Sequence, residues 1–218
     1  VAGLYQNYYA ETQARVEALG RRFLPLHCDL QQATVAELRD AVDQVVRGLG
    51  RLDILVNNAG TTRRAPALEF DERDWDLVIQ VNLKALFFLS QAAARVMVEQ
   101  GGGKIINIAS MLSYQGGILI PAYTAAKSGV AGLTRALANE WAASGVNVNA
   151  IAPGYMATDN TAPLRADPVR NEAILARIPA GDWGEANDLQ GAVLYLASEA
   201  SRYVHGSLLA VDGGWLAR

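Results

Sequence analysis

Tyr123 and Lys127, four positions apart, are the pair in this sequence with the clearest capacity for proton chemistry. On a helix that spacing puts both side chains on one face. A tyrosine with an unperturbed pKa near 10 is a poor proton shuttle at neutral pH, and bringing it to about 7 takes about 4 kcal/mol of preference for the phenolate. A lysine cation alongside supplies much of that preference, and a second positive charge bound nearby adds to it. Tyr-x-x-x-Lys is weak by itself, since an amphipathic helix with a surface lysine shows the same pattern. Ser110 strengthens it. It ends the apolar run Lys104–Ala109, thirteen residues before Tyr123, where a serine can hydrogen-bond a substrate oxygen while the tyrosine gives or takes its proton. Alone, Ser110 reads equally well as a turn or cap residue. Asn82 lies between Val81 and Leu83 in a helical stretch. Asparagine is a mediocre helix former, so it is either a satisfied core amide or the holder of a water that links Lys127 to solvent.

These residues need elements to position them. Leu24–Asp29, Asp53–Asn57, Lys104–Ala109, Asn147–Ala152 and Leu208–Val211 are short apolar runs that read as strands, with Asp53–Asn57 expected to be buried. Thr34–Leu49 has helical spacing at Val35, Leu38, Val42, Val45, Val46 and Leu49. A long helix starts behind an Asp71 cap and runs to about Glu99, another covers Ala122–Ala143 with Gly145 near its C-cap, and Asp188–Ser198 is a third. Strands alternating with such helices imply βαβ units: an α/β, doubly wound parallel sheet of Rossmann type with helices on both faces, in one domain spanning 1–218. Ligands in such sheets bind at the carboxyl ends of the strands. Here those ends carry Asn57–Gly60, Ser110 and Pro153-Gly154.

A dinucleotide-binding sheet normally opens with a strand, a glycine-rich turn and a helix whose amides hold a pyrophosphate. Gly3 stands alone here, and Val1–Tyr9 does not read as a convincing first strand. The pattern therefore predicts a first strand and glycine-rich turn in roughly 30 further residues. A sheet lacking its first strand would expose two edges.

With 218 residues, a net charge of −3, a pI near 5.4 and half its residues apolar, the chain suits one globular domain. Its basic residues are scattered among acids, which argues against nucleic acid. No apolar run reaches the roughly 18 residues of a membrane span. Cys28, the only cysteine, has no internal partner, and a cytoplasmic, reducing setting fits it. His27 and His205 lack ligand spacing, so no metal site is expected.

Taken together, Asn57-Asn58-Ala59-Gly60, Asn82, Ser110, Tyr123-x-x-x-Lys127 and Pro153-Gly154-x-x-x-Thr158 fall in an order and spacing that resembles the short-chain dehydrogenase/reductase family, over nearly the whole chain from about residue 20. The resemblance implies an NAD(P)-dependent oxidoreductase with a catalytic tetrad of Asn82, Ser110, Tyr123 and Lys127. It implies Asp29 and Leu30 near the adenine, and Asn57, Ala59 and Gly60 along the adenosine. It places Lys127 on the nicotinamide ribose beside Tyr123, with Pro153, Gly154, Met156 and Thr158 near the nicotinamide and pyrophosphate. It also implies a homotetramer.

Longer stretches, among them Asn57–Phe70, Asn107–Gly117, Ile151–Asp167, Arg177–Gly184 and Val211–Arg218, are similar to a subgroup of that family that acts on a deoxy sugar acid with NAD. NADP is not excluded, because the discriminating stretch falls in the first ten residues. Arginine pairs with carboxylates through two prongs, so Arg63, Arg64 and Arg165 are candidate contacts for the acid, beside Ser110 and Tyr123. Gln115 and Met111 are weaker pocket candidates. Residues 155–183, irregular and rich in Pro, Asn and Asp, read as a substrate lid. Trp215 and Leu216 near the chain end suggest packing against another subunit. Two other readings remain open at this point: a reductase of another carbonyl such as a 3-oxoacyl thioester, and a catalytically idle nucleotide-binding assembly module.

Overall fold

The computed structural model describes residues 1–5 and 9–218. The described residues form six strands and eight α-helices. They are β1 (Ala2–Tyr5), α1 (Ala10–Ala18), β2 (Leu24–His27), α2 (Val35–Leu49), β3 (Ile54–Asn57), α3 (Glu72–Ile79), α4 (Ala85–Gln100), β4 (Gly103–Ile108), α5 (Pro121–Trp141), β5 (Val146–Pro153), α6 (Ala162–Ala166), α7 (Pro168–Leu175), α8 (Gln190–Ala197) and β6 (Leu208–Val211). All pairings are parallel: β1 with β2, and separately β3-β4-β5-β6 in that order. β1 and β3 are each paired on one side only among the described residues.

Local sequence accounts for most boundaries. Thr34 opens α2 with a capping box, its Oγ1 accepting from the Glu37 amide while the Glu37 carboxylate accepts from the Thr34 amide, and Gly50 ends the helix in the left-handed region. Asp71 caps α3 by accepting from the Arg73 amide. α3 and α4 are joined by a wider π turn, Gln80–Lys84, that holds Asn82. The continuous run Glu72–Gln100 is, by length and composition, apolar enough to cross a membrane, which reading for uninterrupted apolar runs does not reveal. Yet 56% of its most apolar window is buried inside the fold, as in a core helix.

Four expectations need correction. Ala2–Tyr5 is a strand after all. A four-residue run carries too little pattern to identify itself, and its partner β2 defines it through the register Ala2↔Leu24 to Tyr5↔His27. β3 is not buried on both faces, since Ile54 and Val56 are 43% and 40% exposed. The register Val56↔Ile106 puts them on the face where α8 packs, but α8 packs on β4 and β5 and stops short of β3. Residues 155–183 are not irregular: they contain α6 and α7, with Asp167 capping α7 through the Val169 and Arg170 amides. Trp215 is only 4% exposed and docks in the chain's own core beside Ile174, Ile178 and Ile120, with Leu216 against the same cluster. Its burial needs no second subunit.

The core lies on both faces of β4 and β5. Ile105, Val146 and Val148 pack against α4 and α5 through Ala93, Met97 and Leu137, while Ile106 and Ile151 pack under α8 through Leu196. Beneath the strand ends runs a buried polar ladder. The Asn57 amide donates to Ser90 Oγ and to Asn107 Oδ1, both at 2.9 Å, and Asn107 donates to Thr134 Oγ1 at 3.0 Å. Satisfied buried polar groups of this kind fix the strands against α4 and α5 without an unpaired penalty.

Candidate active site

The carboxyl ends of β4 and β5 and the first turns of α5 bring Ser110, Tyr123 and Lys127 together. Pro121 at the first helical position aims α5, and two contacts lock it to the turn after β4: Ser113 Oγ donates to the Lys127 carbonyl at 2.6 Å and Ser128 Oγ to the Leu112 carbonyl at 3.4 Å. Lys127 is 3% exposed. Its Nζ donates to the Ile108 carbonyl at 2.6 Å and lies 5.6 Å from the centre of the Tyr123 ring. Ser110 serves two purposes. Its Oγ accepts from the Leu112 amide at 3.1 Å, capping the short turn Met111–Ser113, and its hydroxyl stands near enough to the Tyr123 phenol to favour the phenolate.

The proton affinities differ from the simplest sequence argument. Burial pushes the Tyr123 phenol above its ordinary value, and the Ser110 hydroxyl offsets this only in part. Burial also pulls Lys127 down to about 8. The same apolar surroundings that hold the pair together disfavour charge on both. Lysine and serine alone therefore do not bring this phenol to neutrality.

Asn82 is fully buried. Its Nδ2 donates to the Thr61 and Val78 carbonyls, each at 2.8 Å, and its Oδ1 accepts from the Thr61 amide at 3.3 Å. The side chain is thus a satisfied amide that clamps the turn after β3. A Cβ on Gly60 would lie 2.9 Å from Asn82 Oδ1 and 3.8 Å from Lys127 Nζ, so that turn lies flat on the site because residue 60 has no side chain.

Two cavities meet at these residues. The larger, about 690 Å³, runs along the strand ends from Asp29 and Leu30, past Ala59 and Gly60, to Lys127, Pro153, Gly154, Met156 and Thr158. The smaller, about 390 Å³, is walled by Met111, Gln115, Arg64 and the inner face of α7. Ser110, Tyr123, Gly154, Asn160 and Thr161 border both. Gly154 is required there, because a Cβ would come within 2.6 Å of the Asp212 Cα.

The larger cavity fits an extended dinucleotide. Lys127 spends one N–H on Ile108 and keeps two for hydroxyl groups in the groove, and the bare Gly60 turn lets a ligand approach the backbone. Of the residues expected along the groove, Asn57 alone turns its side chain away, into the polar ladder; its neighbour Asn58 borders the groove instead. The stretch expected to separate NAD from NADP falls partly on residues 6–8, outside the described residues.

Among the three expected arginines, only Arg64 reaches the smaller cavity, which Ser110, Tyr123 and Gln115 also line. Arg63 is occupied by Asp74 at 3.2 Å and by Thr61 and Thr62. Arg165 donates to the Thr158 carbonyl at 3.2 Å and borders a different hollow, with Asp182 and Asp188. Sequence reasoning missed Arg170 and Arg177. They line the cavity with Ala173 and Ile174, an i, i+3, i+4, i+7 set. That helical spacing was present in the sequence but hidden inside a stretch read as loop.

A parallel αβ sheet with Ser, Tyr and Lys at the junction of a nucleotide-length groove and a polar pocket defines a class, and comparison with known proteins agrees. The family model described as Enoyl-(Acyl carrier protein) reductase matches residues 1–216, and the chain belongs to the short-chain dehydrogenase/reductase family. It is 60% identical over 209 residues to the 2-dehydro-3-deoxy-D-gluconate 5-dehydrogenase of Escherichia coli K12, covering 95% of this chain and 82% of that one. To the Bacillus subtilis 168 enzyme of the same name it is 55% identical, covering 96% and 81%. A crystal structure from Agrobacterium tumefaciens with bound NADP, provisionally described as a 2-deoxy-D-gluconate 3-dehydrogenase, superposes with a TM-score of 0.91 at 53% identity, covering 100% of this chain and 86% of that one. A gluconate 5-dehydrogenase from Burkholderia cenocepacia J2315 in complex with NADP and tartrate gives 0.94 at 37% identity, covering 100% and 85%.

Proposed function

We propose that this protein is an NAD(P)-dependent dehydrogenase that interconverts a secondary alcohol and a ketone on a deoxy sugar acid of the 2-dehydro-3-deoxy-D-gluconate type. The observation that carries this reading is the shared border of the two cavities, where Ser110 and Tyr123 face both the groove and an arginine-lined pocket. The relatives named for that sugar acid support the substrate class. The relatives solved with NADP support that nucleotide beside the NAD to which the sequence pointed.

A nicotinamide held in the groove would supply the hydride chemistry. Asp29 and Leu30 would hold the adenine end, with Asn58, Ala59 and Gly60 along the adenosine. Lys127 would hold the ribose, and Pro153, Gly154, Met156 and Thr158 the nicotinamide side. In the oxidative direction Tyr123 Oη takes the proton of the substrate hydroxyl, and in the reductive direction it returns it. Ser110 Oγ hydrogen-bonds the same oxygen and aligns it. Lys127 holds a cation beside the phenolate that forms, and Asn82 fixes the Gly60–Thr61 turn on which the groove rests. Residues 155–183 act as the cover of the substrate pocket; they supply part of both cavity borders.

We also propose a homotetramer. Among the described residues the outer edge of β6 is unpaired, and Leu194, Tyr195 and Tyr203 expose apolar side chains nearby in the sequence. Light scattering on the purified protein decides the oligomer.

The function is tested by following reduced nicotinamide in the presence of the sugar acid, with a 3-oxoacyl thioester as the competing substrate. Turnover with the sugar acid and none with the thioester is expected. The reverse result would return the protein to the acyl-reducing branch of the family.

A further inference from the structure

We infer that the carboxylate of the substrate is seated by Arg170 and Arg177, with the Trp215 ring as the platform that holds Arg177 in place. This subsite rests on the sugar-acid reading above and gives it an address in the fold.

The argument begins with charge. The smaller cavity is bordered by three arginines, Arg64, Arg170 and Arg177, and by no aspartate or glutamate. Among the described residues none of these three side chains has an ion pair or a hydrogen bond, whereas Arg63 is paired with Asp74 and Arg165 is tied to Thr158. Three uncompensated cations around about 390 Å³ focus a positive potential on that space. A neutral sugar or lactone leaves that potential unanswered, and a carboxylate answers it.

Geometry then separates the three. Arg64 stands apart from the other two, on the loop after β3. Arg170 and Arg177 share one face of α7 and its continuation, where the Arg177 amide still donates to the Ile174 carbonyl at 3.0 Å. Ile174 between them is 3% exposed and anchors that face in the core. The Arg177 guanidinium stands 3.9 Å from the centre of the Trp215 ring, and Trp215 is itself wedged edge-on against Tyr155 at 4.9 Å. Stacking occupies the face of the guanidinium and leaves the N–H groups on its rim for a two-pronged carboxylate contact. A fork already fixed on an aromatic platform loses less freedom on binding than a free one.

The test compares 2-dehydro-3-deoxy-D-gluconate with its methyl ester, using the NADP-loaded protein and the variants R170Q, R177Q and R177K. The wild type is expected to favour the acid by about 100-fold in kcat/KM, and R170Q and R177Q each to reduce that ratio about tenfold through KM. R177K, which keeps the charge without the fork, should recover part of it. An unchanged ratio in well-folded R170Q and R177Q overturns the subsite and leaves the sugar-acid reading standing. A wild type that turns over neither compound overturns the sugar-acid reading. Calorimetric titration with tartrate then judges the subsite by itself: weaker binding by R177Q supports it, and equal binding by R177Q and the wild type sinks it.

Discussion

The floor and the far wall of the active site are built in opposite ways. The floor, made of strand ends, the start of α5 and the π turn between α3 and α4, holds Asn82, Ser110 and Lys127 at 0%, 8% and 3% exposure, and each of the three makes a hydrogen bond within the fold. The wall, made of α6, α7 and the segments around them, is pinned by Ile174, Ile178 and Trp215 but leaves Arg177, like Arg64 on the loop after β3, open to solvent with no ion pair or side-chain hydrogen bond among the described residues. Proton transfer needs groups whose charge is set by burial, so the reacting side sits where strands are rigid. Recognition of an anion needs charges that stay ionised and unpaired until the ligand arrives, so it sits where water reaches. Damage to the floor should therefore appear in kcat, and damage to the wall in KM.

The strongest attack on this contrast is Tyr123→Phe. It removes one oxygen and leaves the ring in place, and we expect kcat to fall by about 10²- to 10⁴-fold with thermal stability little changed. A loss confined to KM would show that Tyr123 binds substrate and does not carry its proton.

Lys127→Met should separate function from stability most sharply. The folded state holds Lys127 near 8, against 10.5 for an ordinary lysine, because burial penalises the charge. Below about 8 the lysine is charged in both states, and the fold bears a penalty of about 3 kcal/mol. Between about 8 and 10.5 the unfolded chain binds more protons than the folded one, so this contribution makes stability rise with pH until the penalty is gone. The variant is therefore expected to lose activity while gaining thermal stability without nucleotide at pH 7. That gain should shrink through pH 8 to 10.5 and end about 1 kcal/mol in the other direction, because the Ile108 carbonyl loses its donor. A flat pH profile for the difference would mean that the lysine is solvated and that the floor is less dry than its geometry states.

Gly60→Ala is a smaller perturbation of the same floor. Its methyl group would press on Asn82 Oδ1 from 2.9 Å and face Lys127 Nζ at 3.8 Å. Nucleotide affinity should fall about tenfold, a change of about 1.4 kcal/mol, while the sugar-acid KM at saturating nucleotide stays close to the wild-type value. Fluorescence titration with NADP reads the first quantity and steady-state kinetics the second.

The same division explains what could be read from the sequence. Tyr123, Lys127, Ser110 and Pro153-Gly154 sit at ends of regular elements, where period, caps and breakers locate them to within a residue or two. Strand Leu208–Val211 has the boundaries its pattern implied. The wall was harder. Its helices have 5 and 8 residues, too few turns for periodicity to emerge among prolines and polar residues. Trp215 illustrates another limit, since a large apolar residue near a chain end has the same composition whether it docks at home or on a neighbour. The strand at Ala2–Tyr5 owes its form to its partner more than to its pattern, and the helix Ala10–Ala18 buries no residue, so it carries no apolar stripe to announce it.

The finest test lies between two adjacent residues that sequence alone treated as equals. Arg63 pairs with Asp74 at 3.2 Å, with both side chains about 40% exposed, and bonds Thr61 and Thr62. Such a pair contributes about 0–1 kcal/mol. Arg64 has no partner among the described residues and faces the pocket. Arg64→Ala should raise the KM for the acid by about threefold to tenfold, less than loss of Arg170 or Arg177. Arg63→Ala should cost at most about 1 kcal/mol of stability and leave KM within twofold. Arg165→Ala, whose side chain borders another hollow, should behave like Arg63→Ala. If Arg63→Ala or Arg165→Ala raised KM as much as Arg64→Ala, then net positive charge near the mouth, and not the particular wall, would be drawing the acid in. Raising the ionic strength would confirm this, because steering by distant charge fades beyond a Debye length of about 8 Å at physiological salt and direct pairing inside the pocket does not.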